Sequence, residues 1–445
     1  MTQRPKIIVL DDDPTGSQTV HSCLLLTRWD VETLRIGLTD AAPIFFILTN
    51  TRALAPDAAV RVTREVCENL KVAIAAESIP DFLVVSRSDS TLRGHYPIET
   101  DVIAECLGPF DAHFLVPAFF EGGRITRNSV HYLTIDGVPT PVHETEFAKD
   151  SVFGYRSSYL PDYVAEKTAG AIPAERVERF LRADLQSGCL ERLMGLASNS
   201  CVAVDAEQQE DLDKFARDVL TAAAAGKRFL FRSAASLLTA LAQLPPQPIA
   251  AEQMAQYVRG GKAGAFVVGS HVQKTTEQLA HLLKQEGIAG IEVEVGRLHD
   301  RADAYPVLLQ ETIAAVQMHR ERGQTPVVYT SRQELQFAEP ETRLQFGEMV
   351  SALLMDIVKG LPADIGYLVS KGGITSNDVL STGLNLRTAR LLGQIVPGCS
   401  VVQTASEHPL FPNLPVVLFP GNVGDESGLT TVYQRFNVAY EQNIC

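Results

Sequence analysis

The residues of this chain that could do chemistry sit directly after apolar runs. Asp11-Asp12-Asp13 follows KIIVL (Lys6–Leu10) and leads into Pro14-Thr15-Gly16. Three adjacent carboxylates repel one another, so stability alone does not gather them; acid–base work or nucleophilic attack does. An acidic turn with one aspartate capping the next helix is the plainer alternative. After FLVV (Phe82–Val85) comes Ser86-Arg87-Ser88-Asp89-Ser90-Thr91-Leu92-Arg93-Gly94-His95. Here Arg87 and Arg93 suit a carboxylate gripped by paired donors, as a polyhydroxy acid presents. Ser90 and Thr91 are expected to cap a following helix and to offer backbone donors to the same anion. Arg124, behind the paired glycines of VPAFFEGGRIT (Val116–Thr126), adds a further cation. Three glycine-rich loops follow later: Gly269-Ser270, Lys371-Gly372-Gly373-Ile374-Thr375-Ser376-Asn377, and Phe419-Pro420-Gly421-Asn422-Val423-Gly424-Asp425. One such loop is most often a turn; three, each after a strand and two at a helix start, suit the phosphates of a nucleotide.

Elements must place these loops. Lys6–Leu10, Ile44–Leu48, Phe82–Val85, His113–Val116, Cys201–Val204 and Arg228–Phe231 read as buried strands, with a helical period over Pro56–Ala76. A second series follows the break Leu244–Pro248 (LPPQP). Its strands are Ala265–Val268, Ile291–Val295, Thr325–Tyr329, Gly366–Val369 and Pro415–Leu418, and its helices Thr275–Gln285, Arg301–Arg322 and Glu348–Lys359. Strands alternating with helices imply an α/β fold with mainly parallel sheets flanked by helices. Two domains are expected, 1–245 and 255–445, joined by a helical stretch near 233–260. Ligands of such sheets bind beyond the carboxyl ends of the strands, which is where every loop named above falls.

Composition bounds the partners. The 445 residues include 39 basic and 53 acidic ones, a formal net charge of −14. That field repels phosphate backbones and anionic lipid, which argues against nucleic acid and membrane surfaces and requires local cations for any anionic ligand. The seven cysteines are scattered without a CxxC pair, as in a reducing, cytoplasmic setting, and show no metal spacing. No Walker P-loop is present and no GxGxxG follows a strand. A homo-oligomer is compatible with this composition.

Two resemblances compete for these motifs. Asp11-x-Asp13-x-Thr15 after a strand, with Ile47-Leu48-Thr49-Asn50, resembles haloacid-dehalogenase-like phosphatases, in which the first aspartate is the nucleophile and the second the acid/base. Against it, no strand ends in a paired acidic motif for magnesium. LDDDPTG, SDSTLRGH, VPAFFEGGRIT with VHYL, GSHVQKT, KGGITSNDVL and FPGNVG together resemble the four-carbon acid sugar kinase family, from residue 11 to residue 424. The resemblance implies an acid-sugar-binding N-terminal domain, an ATP-binding C-terminal domain and an active site in the cleft between them. It implies phosphorylation of threonate, erythronate or a 3-oxo relative, with ATP and magnesium. Ser270, Gly372, Gly373, Ile374, Thr375, Gly421 and Asn422 would then lie at the nucleotide. The loops at Asp12, Asp89, Ser90 and Arg93 would lie at the small-molecule sugar acid. From the residues themselves we expect Asp11, Asp13, Arg87, Thr91 and Arg124 at the same acid, and Asp12 as the catalytic base. Asp425 is a candidate metal ligand with a solvated loop acid as the plainer reading, and metal ligands are otherwise unassigned.

Overall fold

Runs of four to six apolar, often β-branched residues bounded by polar turns are what a strand buried on both faces requires, and they form the strands here. The computed structural model describes residues 4–437 apart from 302, 333, 334, 336, 338 and 339; Cys445 lies outside them. Contacts divide the chain into two units, Met1–Pro245 and Pro246–Cys445. Among the described residues no helix is long and apolar enough to cross a membrane.

The first unit contains strands β1 (Lys6–Asp11), β2 (Leu24–Leu26), β3 (Ile44–Leu48), β4 (Phe82–Arg87), β5 (Ala112–Val116), β6 (Arg124–Arg127), β7 (Val130–Ile135), β8 (Val138–Pro141), β9 (Glu178–Phe180), β10 (Ser200–Val204) and β11 (Phe229–Ser233). Eight of them form a parallel sheet in the order β2-β3-β1-β4-β11-β5-β10-β9, and β6, β7 and β8 form a separate antiparallel sheet. The chain builds β2 and β3 to one side of β1 and then places β4 on the other. That reversal opens a crevice at the carboxyl ends of β1 and β4. Register puts Asp11 opposite Arg87, and Arg87 opposite Ser233.

Helix Pro56–Glu77 shows how the sequence specifies its elements. Proline opens it, Ala59, Thr63, Val66, Cys67, Leu70 and Ala73 line its buried face, and Ser78 ends it in the left-handed region at φ 52°. The next helix, Ile98–Leu107, starts well past the SDSTLRGH motif, so Ser90 and Thr91 do not cap a helix as expected. Those two residues instead lie in an irregular loop, because Leu92 and Gly94 both take positive φ.

The second unit contains β12 (Ala265–Val268), β13 (Ile288–Val293), β14 (Thr325–Thr330), β15 (Leu368–Lys371), β16 (Thr388–Val396), β17 (Cys399–Thr404) and β18 (Pro415–Phe419). Their order is β13-β14-β12-β15-β18-β17-β16, parallel through β18, with β17 and β16 antiparallel. The reversal recurs between β12 and β15, where Val268 lies opposite Lys371 and Lys371 opposite Phe419. The hairpin β16–β17 goes unread in the sequence because Gly393, at φ 132°, and two register shifts interrupt its alternation. Helices fall at Gln273–Leu282, Ala304–Glu321 and Pro340–Lys359. The expected connector is a helix, Ala235–Ala242, in the first unit and a 3-10 segment, Ala251–Tyr257, in the second.

The core of the first sheet includes an aromatic cluster in which Phe114 stacks on Phe231 at 5.1 Å and meets Phe229 and Phe215 edge-on at 5.3 and 5.5 Å. Phe114→Ala should cost about 3–5 kcal/mol of unfolding free energy, read from the denaturant midpoint. A cost near zero would show that the cluster does not anchor the sheet.

Candidate functional site

In the first unit the acidic loop folds back over its own first carboxylate. A side chain on Gly16 would place its Cβ 2.0 Å from Asp11 Oδ1, so only glycine fits there. Asp11 is wholly buried, and its carbonyl accepts from the Thr49 amide and hydroxyl, both at 2.9 Å. Arg87 Nη1 stands 3.6 Å from Asp11 and 3.8 Å from Asp12. Arg52 forks onto both oxygens of Asp12, with Nε at 3.1 Å, and reaches Asp13 at 3.3 Å. Burial pushes the Asp11 carboxyl up to about 8 against the opposing pull of Arg87, so it is mostly protonated at neutral pH. Burial also raises Asp12 against the pull of Arg52. Asp13 is buried too, yet Arg52 and Arg87 hold it below the usual carboxylate range. Three neighbouring carboxylates thus coexist by differing in charge.

The loop 88–95 is held by its carbonyls. His131 Nε2 donates to Ser90 at 2.8 Å, the Tyr155 hydroxyl to Thr91 at 2.7 Å and the Tyr163 hydroxyl to Leu92 at 2.9 Å. Burial lowers His131 to about 4, so it is neutral. Asp89 accepts from Arg93 Nε at 2.8 Å and from the Thr91 hydroxyl; burial opposes its ionisation, but Arg52 and Arg93 keep it ionised. Arg93 also lies 3.6 Å from Asp150. Gly94, at φ 115°, lets backbone pass where a Cβ would meet Arg232 Nη2 at 2.6 Å and Asp12 Oδ2 at 3.1 Å. His95 donates to the carbonyls of Thr51 and Leu54, which fixes the segment carrying Arg52.

The structure therefore brings Asp11, Asp12, Asp13, Arg87 and Gly94 together and keeps Asp89, Thr91 and Arg93 in a neighbouring ion-paired turn. Arg87 is buried beside Asp11 and Asp12, and its Nε is left without a hydrogen-bond partner among the described residues. Arg124 donates to its own loop at Gly122 and lies over the Phe119 ring. Sequence reasoning missed Arg52, which ends the polar run Thr49-Asn50-Thr51-Arg52 after β3. It also missed Arg232, a charge inside an apolar strand, bonded to Ser86 at 2.7 Å and paired with Glu99. Asp11 Oδ2, Ser17 Oγ, Arg87 Nε, Arg232 Nη2 and Ser233 Oγ are buried with no hydrogen-bond partner among the described residues. Buried polar atoms rarely stay unsatisfied, so this set suits a ligand rich in hydroxyl and carboxylate oxygens.

In the second unit Ser270, Gly372, Thr375 and Gly421 converge. Ser270 accepts from the Thr275 hydroxyl at 3.2 Å, and its amide donates to Lys371 at 3.3 Å. Gly372, at φ 120°, lies where a Cβ would sit 3.0 Å from Ser270 Cβ and 3.2 Å from Thr375 Oγ1. Gly373 opens helix Gly373–Asp378, which passes into a π turn, Val379–Gly383. Ile374 is 67 % exposed and Asn422 is exposed at the surface. Asp425 is exposed and accepts from the Ser427 amide and hydroxyl, which lower it. Among the described residues no group of three or more His, Cys, Asp or Glu side chains is placed to hold a metal ion.

Residues 7–241 match the family described as a sugar-binding N-terminal domain, and residues 265–429 the family described as a nucleotide-binding C-terminal domain. The chain belongs to the four-carbon acid sugar kinase family. Its relatives in the family include the D-erythronate kinase of Heliobacterium modesticaldum, 25% identical over 404 residues, 82% of this chain and 83% of that one. The D-threonate kinase of Bordetella bronchiseptica is 28% identical over 228 residues, 48% of this chain and 50% of the relative. The 3-oxo-tetronate kinase of Pectobacterium atrosepticum is 29% identical over 179 residues, 39% and 40%. The same fold occurs in Haemophilus influenzae protein HI1011, with a TM-score of 0.63, 18% identity and coverage of 96% of this chain and 100% of that one. The phosphatase reading of Asp11 and Asp13 is corrected by this membership in a family of acid sugar kinases. Chemistry agrees: a carboxyl that is fully buried and mostly protonated is no nucleophile.

Between its ordinary value of 3.8 and about 8, folded Asp11 keeps a proton that the unfolded chain has released. It therefore makes stability fall as pH rises through that window. Asp11→Asn keeps the neutral form, so its melting temperature should gain on wild type steadily from about pH 5 to about pH 8. A difference independent of pH would mean that Asp11 is ionised in the folded protein.

Proposed function

We propose that this acid sugar kinase transfers the γ-phosphoryl group of ATP to a hydroxyl of a four-carbon sugar acid of the erythronate, threonate or 3-oxo-tetronate type. The observation that carries the reading is that the oxygen-seeking buried cluster and the glycine loops fall in separately matched sugar-binding and nucleotide-binding domains. The names of the relatives narrow the acid to four carbons.

The acid's carboxylate sits at Arg93 and the outward amide of Thr91. Its attacking hydroxyl faces Asp12, whose carboxylate takes the proton as the oxygen bonds to the γ-phosphorus and the bond to the β-phosphate oxygen breaks, releasing ADP. Burial raises Asp12 toward the range in which a base is effective, while the Arg52 fork orients it. Ser270, Gly372, Thr375 and Gly421 line the phosphate end of the nucleotide, with Gly373, Ile374 and Asn422 at its edge. Such transfers use magnesium to neutralise phosphate charge.

Purified protein supplied with MgATP and a panel of four-carbon acids should release ADP with at least one of them. Asp12→Asn should lower kcat by about 10²–10⁴-fold while leaving the acid bound. The acid limb of the wild-type pH profile should lie above the range of an ordinary carboxylate. Wild-type turnover in D12N would remove Asp12 as the base, and no ADP from a broad panel would overturn the assigned substrate class.

A further inference from the structure

The loop Pro420–Asp425 is held from beneath by two buried side chains that phosphate chemistry does not itself require. Lys371, with no exposed surface, donates from Nζ to the carbonyls of Pro420 at 2.6 Å and Gly421 at 3.1 Å, and lies 4.1 Å over the Phe419 ring. Gln278, equally buried, donates from Nε2 to the carbonyls of Val423 at 3.0 Å and Asp425 at 2.7 Å. The Thr275 hydroxyl adds a third hold on Gly421 at 3.3 Å.

These holds have a geometric consequence. In a trans peptide the carbonyl of one residue and the amide of the next point in opposite directions. The peptides of this loop are trans. Each carbonyl drawn inward therefore turns the following amide outward, which applies to Gly421, Asn422, Gly424 and Glu426. None of these four amides donates a hydrogen bond to another described residue. Successive amides aimed the same way make an anion-binding concavity.

We infer that Lys371 and Gln278 are positioning residues for the phosphates of the bound nucleotide, acting through the carbonyls of the Pro420–Asp425 loop rather than by touching the nucleotide. This rests on the kinase reading above and adds the device that shapes its phosphate loop. Burying an ammonium is costly, and an apolar side chain would pack β15 against β18 at least as well, so stability does not explain the lysine. Desolvation lowers Lys371 to about 7, yet the neutral amine still carries two N–H donors for its two carbonyls. The hold therefore survives titration.

Lys371→Met and Gln278→Met keep volume and remove the donors. On the full chain, titration with MgADP should show affinity weakened by about tenfold or more in each variant. The KM for ATP should rise by a similar factor, the KM for the acid should stay within about twofold, and the melting temperature should hold. The two variants remove separate holds, so either one that stays folded decides. A folded variant with wild-type MgADP affinity, or an equal rise in both KM values, overturns the inference while the kinase reading stands. Unfolding of both variants also overturns it, by making the residues structural. A wild type that binds no MgADP overturns the nucleotide reading and this inference together.

Discussion

Two carboxylates buried side by side at the end of one strand are a liability that the first unit is arranged to meet. Asp11 and Asp12 lie where the strand order reverses, so each flanking strand can deliver a cation to them. β4 ends in Arg87, in direct register with Asp11, and the segment after β3 brings Arg52 onto Asp12 and Asp13. The strand order thus serves electrostatics as well as packing. A sheet with β1 at its edge would leave one side of the acidic pair without a counter-ion. The residual strain is resolved by protonation: Asp11 keeps its proton, while Asp13 and Asp89 stay ionised beside arginines. Truncating a guanidinium in such a set leaves an uncompensated buried charge and costs far more than a surface pair would.

Both units solve a second problem in the same way. A loop that must offer amides to an anion has to dispose of its carbonyls, because buried backbone acceptors need donors. In the first unit His131, Tyr155 and Tyr163 take the carbonyls of Ser90, Thr91 and Leu92; in the second Lys371, Gln278 and Thr275 take those of the last glycine loop. The donors differ in chemistry; in the first unit one of the amides that follows a hold, that of Leu92, is itself taken up by the Asp89 carbonyl at 3.3 Å, whereas the corresponding amides of the second unit donate to no other described residue.

Much of this arrangement was legible in the sequence, for physical reasons. Strands buried on both faces announce themselves as short apolar runs, so β1, β3, β4, β12 and β18 stand out, and so do the polar loops after them. Asp11–Asp13, Asp89, Arg93, Ser270 and Gly372 were readable because they sit within a few residues of those runs. Arg52, Arg232 and Gln278 were not. Arg52 belongs to a loop whose importance depends on β3 lying beside β1, and Gln278 looks like any polar residue on a helix until the fold turns it inward. The capping read for Ser90 and Thr91 failed for a similar reason: residue type and spacing say what a side chain can do, but not where the next helix starts, which here is Ile98. The hairpin β16–β17 escaped because bulges erase the two-residue period on which strand reading depends.

The anchoring of the 88–95 loop has a consequence for how such proteins diversify. His131 lies on β7 in the small antiparallel sheet, and Tyr155 and Tyr163 lie further along the chain, outside the main sheet altogether. The parallel sheet can therefore stay constant while an appended segment redraws the loop it grips. With the acid bound as proposed, selectivity among acids that differ in one stereocentre or one oxidation level can drift through substitutions that lie tens of residues along the chain from this loop. Descendants of one ancestor can then share their motif letter for letter and still sort different sugars.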